Sequence, residues 1–507
     1  MFGKKVKLNY FALILSLVNL LLYHFPFYKF VSSNVDVSTS NGFVLFSSIA
    51  ILALLLNALV FYIFLFALRK IGRWLLVIFF NINAICLYFI NTYSVIIDKS
   101  MIGNVLNTNY DEASSFFSFS FILYVLGLGI LPSIFVLKAD VVNVKFKRFL
   151  VHVSVSLVLL LSLAYANSTN WLWIDKHDKT LGALVMPWSY VVNTSRFYAQ
   201  KNKRNKEQIL LPDAKLKDNK KAISVLVIGE SARTANFSLL GYDRITNPLL
   251  SKIDNVHAYE AEASATYTTA GVKAILEHKD TRKLYEILPN YLYRNGVEVI
   301  WRTSNWGEPT VKIEHFHKKA DLEKLGNGTI CEYDEVLLNG LKEQILQSKK
   351  NKVLVVLHTS TSHGPTYYKK YPKEFNQFTP VCESVELAKC TQSELINAYD
   401  NTILYTDYIL ATLIGQLKEL DEYETSMIYI SDHGESLGEK SLYMHGLPLN
   451  IAPKEQIEIP FIAWSSNDAI EFKNEKILSQ HNVFHSVLDF LSIDSPVYNE
   501  KMSIVKR

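Results

Sequence analysis

The sequence predicts a chain in two parts, an α-helical membrane region with five transmembrane helices followed by a soluble α/β sandwich. Apolar residues concentrate before Asn167, whereas charged residues concentrate after Lys201. Five apolar stretches of the first part are long enough to cross a bilayer, which takes about 20 helical residues. In the second part, short apolar runs alternate with longer helical patterns, as is typical of a mostly parallel sheet covered by helices.

The five predicted spans have a consistent orientation. They cover residues 10–28, 42–68, 74–93, 116–137 and 149–166. Lysine and arginine are in excess before the first span, between the second and third, and between the fourth and fifth. Cytoplasmic segments keep such an excess, so an odd number of spans places everything after Ala166 outside the cytoplasm. A disulfide can persist there.

The domain boundaries follow from the same pattern. Residues 1–167 form the membrane part, residues 168–219 contain bridging helices and a charged linker, and residues 220–507 form the soluble domain. Within the membrane part, residues 98–115 predict a helix that lies on the membrane surface. Its polar residues are four apart, so they would form one stripe on that helix. The stripe consists of Asn104, Thr108 and Glu112.

Composition argues against several classes of protein. The net charge of +4 is small for 507 residues, and no basic stretch is interleaved with aromatic residues. Nucleic acid is therefore not expected as a partner. Four cysteines are too few for a disulfide scaffold, and none has the CxxC spacing of a zinc ribbon.

The predicted strands end in residues that can bind a cation or a phosphate. Ligands of a parallel sheet gather at the carboxyl ends of its strands. The residues at and after these ends are Glu230, Ser231, His358, His363, Asp432, His433, Glu435 and His445. Carboxylates and imidazoles that converge from separate strands suit a zinc ion.

A hydroxyl-rich stretch, EASATYTTAGVKAIL, supplies candidate nucleophiles. It precedes a helical pattern, and the N-terminus of a helix favours phosphate oxygens. Zinc would make a neighbouring alcohol reactive at neutral pH. Spacing alone leaves Thr266, Thr268 and Thr269 as alternatives, beside an ordinary threonine-rich helix cap.

Several segments form a specific pattern along the chain. They are IGESARTANFSLLGYDRITNP, TYTTA, HTSTSHGPTYYKKYP and SDHGESLGE followed by MHGLPLNIAP. These segments resemble the lipid A phosphoethanolamine transferases, which include the mobile colistin-resistance enzymes and belong to the alkaline phosphatase and sulfatase superfamily. The resemblance covers nearly the whole chain. It implies a soluble domain of the alkaline phosphatase and sulfatase type in the periplasm, and an anchor in the bacterial inner membrane.

The resemblance implies roles for individual residues around a zinc ion. Thr269, just before Ala270, corresponds to the nucleophile of the family. One zinc is expected, and a second is compatible with the pattern. The expected zinc ligands are Glu230, Thr269, Asp432 and His433. Residues near the phosphoryl group or a second zinc are His363, His445 and Glu435.

Other positions match substrate contacts and a disulfide of the family. Asn305 matches a residue that contacts bound phosphoethanolamine, and the stripe from Asn104 to Glu112 matches a lipid-facing helix. Cys382 and Cys390 match a family disulfide. The implied reaction takes phosphoethanolamine from phosphatidylethanolamine, leaves it on the threonine, releases diacylglycerol, and passes it to lipid A or a core sugar.

The chain also departs from the family, which leaves the acceptor open. Ala265 and Ile275 stand where a cysteine pair usually brackets the nucleophile, and Cys331 has no evident partner. The lysine expected after Asn305 is absent; Glu308 lies in that region, and Lys312 is the candidate substitute. The alternatives are a related phosphoglycerol or phosphoethanolamine transferase acting on a glucan or protein, and a non-catalytic scaffold.

Overall fold

The computed structural model describes residues 5–108, 110–167, 170–204, 208–281, 283–325, 333–474 and 477–506. It divides into two compact units, Met1–Lys201 and Asn202–Arg507. The division falls within the predicted linker, residues 168–219. Of the helices of that linker, Trp171–Lys176 and Asp178–Leu184 belong to the first unit, and Trp188–Arg204 runs from the first unit across the boundary.

The described part of the first unit has four helices long and apolar enough to cross a membrane. They are Ser40–Leu68, Lys70–Tyr93, Phe119–Lys138 and Phe146–Ala166. A bent pair, Leu8–Tyr23 and Phe25–Asn34, passes the same test when counted together, with 67° between its members. Pro26 lies in the first turn of the second member, where its missing N–H leaves no hydrogen bond unmade. The five predicted spans thus correspond to four helices and one bent pair.

Residues 98–115 form two helices, Lys99–Asn107 and Tyr110–Ser115, instead of the single helix predicted. The first begins at Asp98, whose carboxylate accepts a hydrogen bond from a backbone N–H of the first turn at 2.9 Å. Both helices lie within the predicted residues 98–115, and the break between them was not predicted.

The break changes the geometry of the predicted polar stripe. The N–H and the hydroxyl of Thr108 both donate to the Asn104 carbonyl at 2.8 Å, and Thr108 leaves the helical conformation. A hydroxyl that bonds backbone in this way competes with helix continuation. The side chain of Glu112 lies outside the described residues. Contact of the stripe with lipid stays a prediction.

The second unit is built around an eight-stranded sheet within the described residues. Its strands are β1 (Ala222–Gly229), β2 (Val256–Glu262), β3 (Glu298–Thr303), β4 (His315–Lys318), β5 (Lys352–His358), β6 (Glu424–Ser431), β7 (Glu458–Ser465) and β8 (Ile477–Ser479). Their order across the sheet is β8-β2-β7-β6-β1-β5-β3-β4. Only β7 runs antiparallel to its neighbours. The predicted α/β domain with a mostly parallel sheet is confirmed.

The middle of the sheet consists of buried parallel strands whose carboxyl ends are aligned in the register. Strands β1 and β5 are buried along their whole length, as expected for near-continuous apolar runs covered on both faces. In the register, Gly229 of β1 lies opposite Ser431 of β6, and Ile228 lies opposite His358 of β5. The residues that follow these three strands are therefore brought to one edge.

Helices pack against this sheet. They are Thr268–Leu276, Leu288–Arg294, Lys319–Leu325, Leu341–Leu346, Gln392–Lys418 and Asn482–Phe490. The longest begins with a capping box, in which Thr391 and Glu394 satisfy each other's backbone N–H groups. Just before it, Cys382 and Cys390 form a disulfide. Cys331 lies outside the described residues.

Candidate functional site

Two carboxylates and an imidazole converge at the carboxyl edge of the sheet. Glu230 directly follows β1, and Asp432 and His433 directly follow β6. The Nε2 atom of His433 lies 3.4 Å from Glu230 Oε1 and 3.3 Å from Asp432 Oδ2. All three residues are buried. They form a group close enough to share one metal ion.

The hydroxyl of Thr268 completes this group. Thr268 is the first residue of the helix Thr268–Leu276 and is 3% exposed. Its Oγ1 atom lies 3.4 Å from Glu230 Oε2 and 3.4 Å from His433 Nε2. The helix N-terminus thus places one alcohol beside the carboxylates and the imidazole.

The structure distinguishes the three threonines that the sequence left as alternatives by their contacts. The Thr266 hydroxyl donates to the Leu447 carbonyl. Thr268 Oγ1 lies against Glu230 and His433, which makes Thr268 the nucleophile that this geometry favours. The resemblance implies Thr269, the next residue of the same helix, and that assignment stays a prediction.

The donor atoms of these four residues lie at separations compatible with a shared zinc ion. With zinc–ligand bonds of about 2.0–2.1 Å, ligand atoms at the corners of a tetrahedron lie about 3.3 Å apart. The four separations given above, which involve both oxygens of Glu230, are 3.3–3.4 Å. Asp432 Oδ2 is also buried without a hydrogen-bond partner in the described part of the chain, as an oxygen reserved for a cation would be.

Electrostatics also favours a cation here. Burial and the charge of Glu230 raise the pKa of Asp432 well above its usual range. Burial opposes a charge on His433, but the two carboxylates outweigh it and raise the pKa of His433 to about 10. Burial likewise opposes ionisation of Glu230, yet the contact with His433 holds the pKa of Glu230 well below its usual range. Two buried carboxylates therefore need a shared positive charge.

The Glu230 carboxylate is held by two neighbouring side chains. Ser231 Oγ donates to Glu230 Oε1 at 2.8 Å, and Asn305 Nδ2 donates to Glu230 Oε2 at 2.7 Å. The same amide nitrogen donates to the Thr359 carbonyl at 2.8 Å, so both of its hydrogens are engaged. Asn305, predicted as a phosphoethanolamine contact, thus orients Glu230 in this structure.

The backbone of Asp432 is fixed by a residue that sequence reasoning missed. Gln480 Nε2 donates to the Asp432 carbonyl at 2.7 Å and to the Ser431 carbonyl at 3.1 Å. Gly271 packs against the same carbonyl, where a Cβ atom would lie only 2.0 Å from the oxygen. Gln480 belongs to no motif, and only the tertiary fold brings it to this edge.

A second group of side chains adjoins the first. His445 Nδ1 lies 2.9 Å from Glu435 Oε2, and the His445 ring centroid lies 4.2 Å from that of His433. The other oxygen of Glu435 accepts a hydrogen bond from the Tyr367 hydroxyl at 2.9 Å. The His363 ring lies 5.5 Å from that of His445. The structure therefore brings His363, Glu435 and His445 beside the proposed metal ligands.

Tyr367→Phe should destabilise this second group. The change leaves one oxygen of the buried Glu435 carboxylate without its donor, which costs about 1–3 kcal/mol. We expect the apparent melting temperature of the purified protein to fall by about 2–6 °C. Tyr368→Phe, at the partly exposed neighbouring position, is the matched control. An equal fall in both variants would contradict a specific role for the Tyr367 hydroxyl.

The chain is similar to known proteins along both parts. Residues 52–202 match the family profile described as Phosphoethanolamine transferase EptA/EptB, and residues 223–493 match the Sulfatase profile. Phosphoethanolamine transferase EptA of Helicobacter pylori is 38% identical over 98% of this chain and 96% of its own. Phosphatidylethanolamine transferase Mcr-1 of Escherichia coli is 30% identical over 95% of this chain and 94% of its own. The structure of the integral membrane protein lipooligosaccharide phosphoethanolamine transferase A (EptA) of Neisseria meningitidis is 26% identical, covers 97% of each chain and gives a TM-score of 0.87.

Proposed function

Because the chain belongs to the phosphoethanolamine transferase EptA family, we propose that it transfers phosphoethanolamine to the saccharide part of an envelope lipid. The observation that carries the proposal is the Thr268 hydroxyl beside Glu230, Asp432 and His433. This arrangement places a candidate nucleophile beside a candidate cation site in the buried part of the domain. The acceptor is lipid A or a core sugar, which the name of the Neisseria relative supports.

The protein is a multi-pass protein of the bacterial inner membrane with its soluble unit in the periplasm. The four apolar helices and the bent pair support an odd number of crossings. The excess of lysine and arginine on alternate segments supports a cytoplasmic N-terminus. We take phosphatidylethanolamine, an abundant lipid of such a bilayer, as the donor, in line with the name of the Mcr-1 relative.

The metal proposed for this position is zinc, held by Glu230, Thr268, Asp432 and His433. When bound, zinc lowers the pKa of the threonine hydroxyl and offsets negative charge on the phosphoryl oxygens. The group of His433, Glu435 and His445 is the candidate position of a second ion.

The first displacement is an attack by the Thr268 oxygen on the phosphorus of the donor. The oxygen–phosphorus bond forms as the bond from phosphorus to the glycerol oxygen breaks. The threonine proton ends on that glycerol oxygen, so diacylglycerol leaves as a neutral alcohol. Phosphoethanolamine remains on Thr268 as a phosphate diester.

The second displacement returns the threonine to its starting state. An oxygen of the acceptor attacks the same phosphorus, and the bond to Thr268 breaks. We assign His445 to carry the acceptor proton to the leaving Thr268 oxygen, because Glu435 engages its Nδ1 and orients the ring. Burial lowers the pKa of His445, which favours the neutral imidazole that can accept a proton.

Mass spectrometry of the envelope tests the proposed function. Lipids and glycans are compared between cells that express the chain and cells that express the Thr268→Ala variant. We expect a mass gain of one phosphoethanolamine in the active strain, located by fragmentation on lipid A or a core sugar. A gain of glycerophosphate, or a gain confined to a glucan or protein, would contradict the assignment.

A further inference from the structure

The loop that follows β3 runs over the proposed nucleophile. Gly307 lies in this loop with φ of 103°, and a Cβ atom there would be 3.1 Å from Thr268 Cγ2. The loop therefore approaches the threonine closely through a residue without a side chain. Glu308 is the next residue, and consecutive Cα atoms are only about 3.8 Å apart.

One carboxylate oxygen of Glu308 has no hydrogen-bond partner among the described residues. This oxygen, Oε2, is buried. An unpaired carboxylate oxygen is costly to keep away from water, so a donor from outside the protein is expected to meet it. Lys312, which stands nearest in sequence to the missing family lysine, is exposed.

His358 gives a second polar group in the same region. It ends β5, is fully buried, and its Nε2 atom has no hydrogen-bond partner across the part of the chain that the structure describes. Burial lowers the pKa of His358, and the charges of Glu308 and Glu230 act against that effect. A neutral imidazole and a carboxylate with free acceptor capacity thus lie within electrostatic reach of each other. Together, a carboxylate oxygen and an imidazole nitrogen without partners among the described residues suit a cation with several N–H donors.

The geometry points to Glu308 as the residue that binds the ammonium group of the donor's ethanolamine, with His358 as its neighbour. This inference rests on the proposed function. Four bonds separate phosphorus from the amine nitrogen, a span of about 4–5 Å when each bond is about 1.5 Å. A phosphate at Thr268 therefore leaves the ammonium able to reach the residue after Gly307. A charge-assisted hydrogen bond to the carboxylate would then select this headgroup.

The inferred contact bears on which donor lipid is selected. A carboxylate attracts the ammonium group of ethanolamine. A glycerol headgroup would leave Glu308 buried and unpaired, so donors of that class should be disfavoured. The carboxylate thereby bears on donor choice and leaves the acceptor undetermined.

The test measures diacylglycerol release by the full-length protein in detergent from two donors. Phosphatidylethanolamine carries the amine, and phosphatidylethanol has the same two carbons without it. Glu308→Gln should lower kcat/KM for phosphatidylethanolamine by about 10- to 100-fold and change that for phosphatidylethanol by less than about twofold. Glu314→Gln, an exposed residue of the same loop, is the matched control and should change neither value.

Two results would overturn the inference. One is an equal loss on both donors in Glu308→Gln, which indicates a structural role, and the other is no change on either. Wild-type protein gives an independent measurement, since O-phosphoethanolamine should inhibit at least about tenfold more strongly than ethyl phosphate. Equal inhibition would likewise overturn the ammonium contact. Wild-type protein that releases no diacylglycerol from phosphatidylethanolamine would instead refute the proposed function.

Discussion

Thr268→Ala is expected to abolish phosphoethanolamine transfer, whereas Thr269→Ala is expected to retain most of it. The Thr268 oxygen lies 3.4 Å from both Glu230 Oε2 and His433 Nε2, where a bound cation would activate it. Alanine removes the oxygen that we propose forms the covalent intermediate. We expect diacylglycerol release to fall by at least about a thousandfold in Thr268→Ala and by less than about fivefold in Thr269→Ala.

The two variants form a matched pair because they remove the same atoms from adjacent positions. Intact-mass analysis after incubation with phosphatidylethanolamine adds a direct readout. The wild type and Thr269→Ala should gain one phosphoethanolamine, and Thr268→Ala should gain none. The reverse pattern would restore the assignment that the sequence resemblance implied, and labelling of both variants would place the nucleophile elsewhere.

The proximity of the proposed metal ligands could be predicted from the sequence because the carboxyl ends of parallel strands share one edge of the sheet. Apolar runs mark the buried strands, and their carboxyl ends share one edge, so Glu230, Asp432 and His433 had to lie close together. In the structure, His433 Nε2 lies 3.4 Å from Glu230 Oε1 and 3.3 Å from Asp432 Oδ2. For predicting that these residues lie close together, the position of each directly after a strand was more informative than its residue type.

The nucleophile could not be fixed in the same way. Which threonine lies against Glu230 and His433 depends on where the helix begins, and a shift of one residue turns the side chain by about 100°. The helix begins at Thr268, a detail set by packing that residue spacing does not encode. Similarly, Gln480 supports Asp432 from about fifty positions away, a contact that follows from the fold alone.

A local hydrogen bond accounts for the break within residues 98–115 that the sequence did not predict. Periodicity favours one helix across residues 98–115, but it averages over many positions. The Thr108 hydroxyl competes with the helix by donating to the Asn104 carbonyl. Predictions from periodicity are therefore dependable for the presence of a helix and weak for its end.

Asp432→Asn is expected to remove the metal and, with it, the activity. The substitution keeps the size of the side chain and an oxygen able to accept the N–H groups of Ser231 and His433, at 3.1 and 2.8 Å in the wild type. It removes the negative charge that a zinc ion needs from this ligand. We expect bound zinc to fall from about one ion per chain to less than about a tenth, and transfer to fall by at least about a thousandfold.

Melting temperatures measured with zinc and with chelator distinguish whether Asp432→Asn loses a metal ligand or loses the fold. In the metal-free protein, burial and the charge of Glu230 raise the pKa of Asp432, so an ionised Asp432 destabilises the folded state at pH values above that pKa. In excess chelator, Asp432→Asn should then melt at the same temperature as the wild type or at a higher one. With zinc present, Asp432→Asn should melt at a lower temperature than the wild type, because only the wild type gains stability from binding zinc. Asp468→Asn, an exposed control, should match the wild type in both conditions. A variant that melts far below the wild type even in chelator would show that Asp432 serves the fold, and one that keeps its zinc would refute the proposed ligand set.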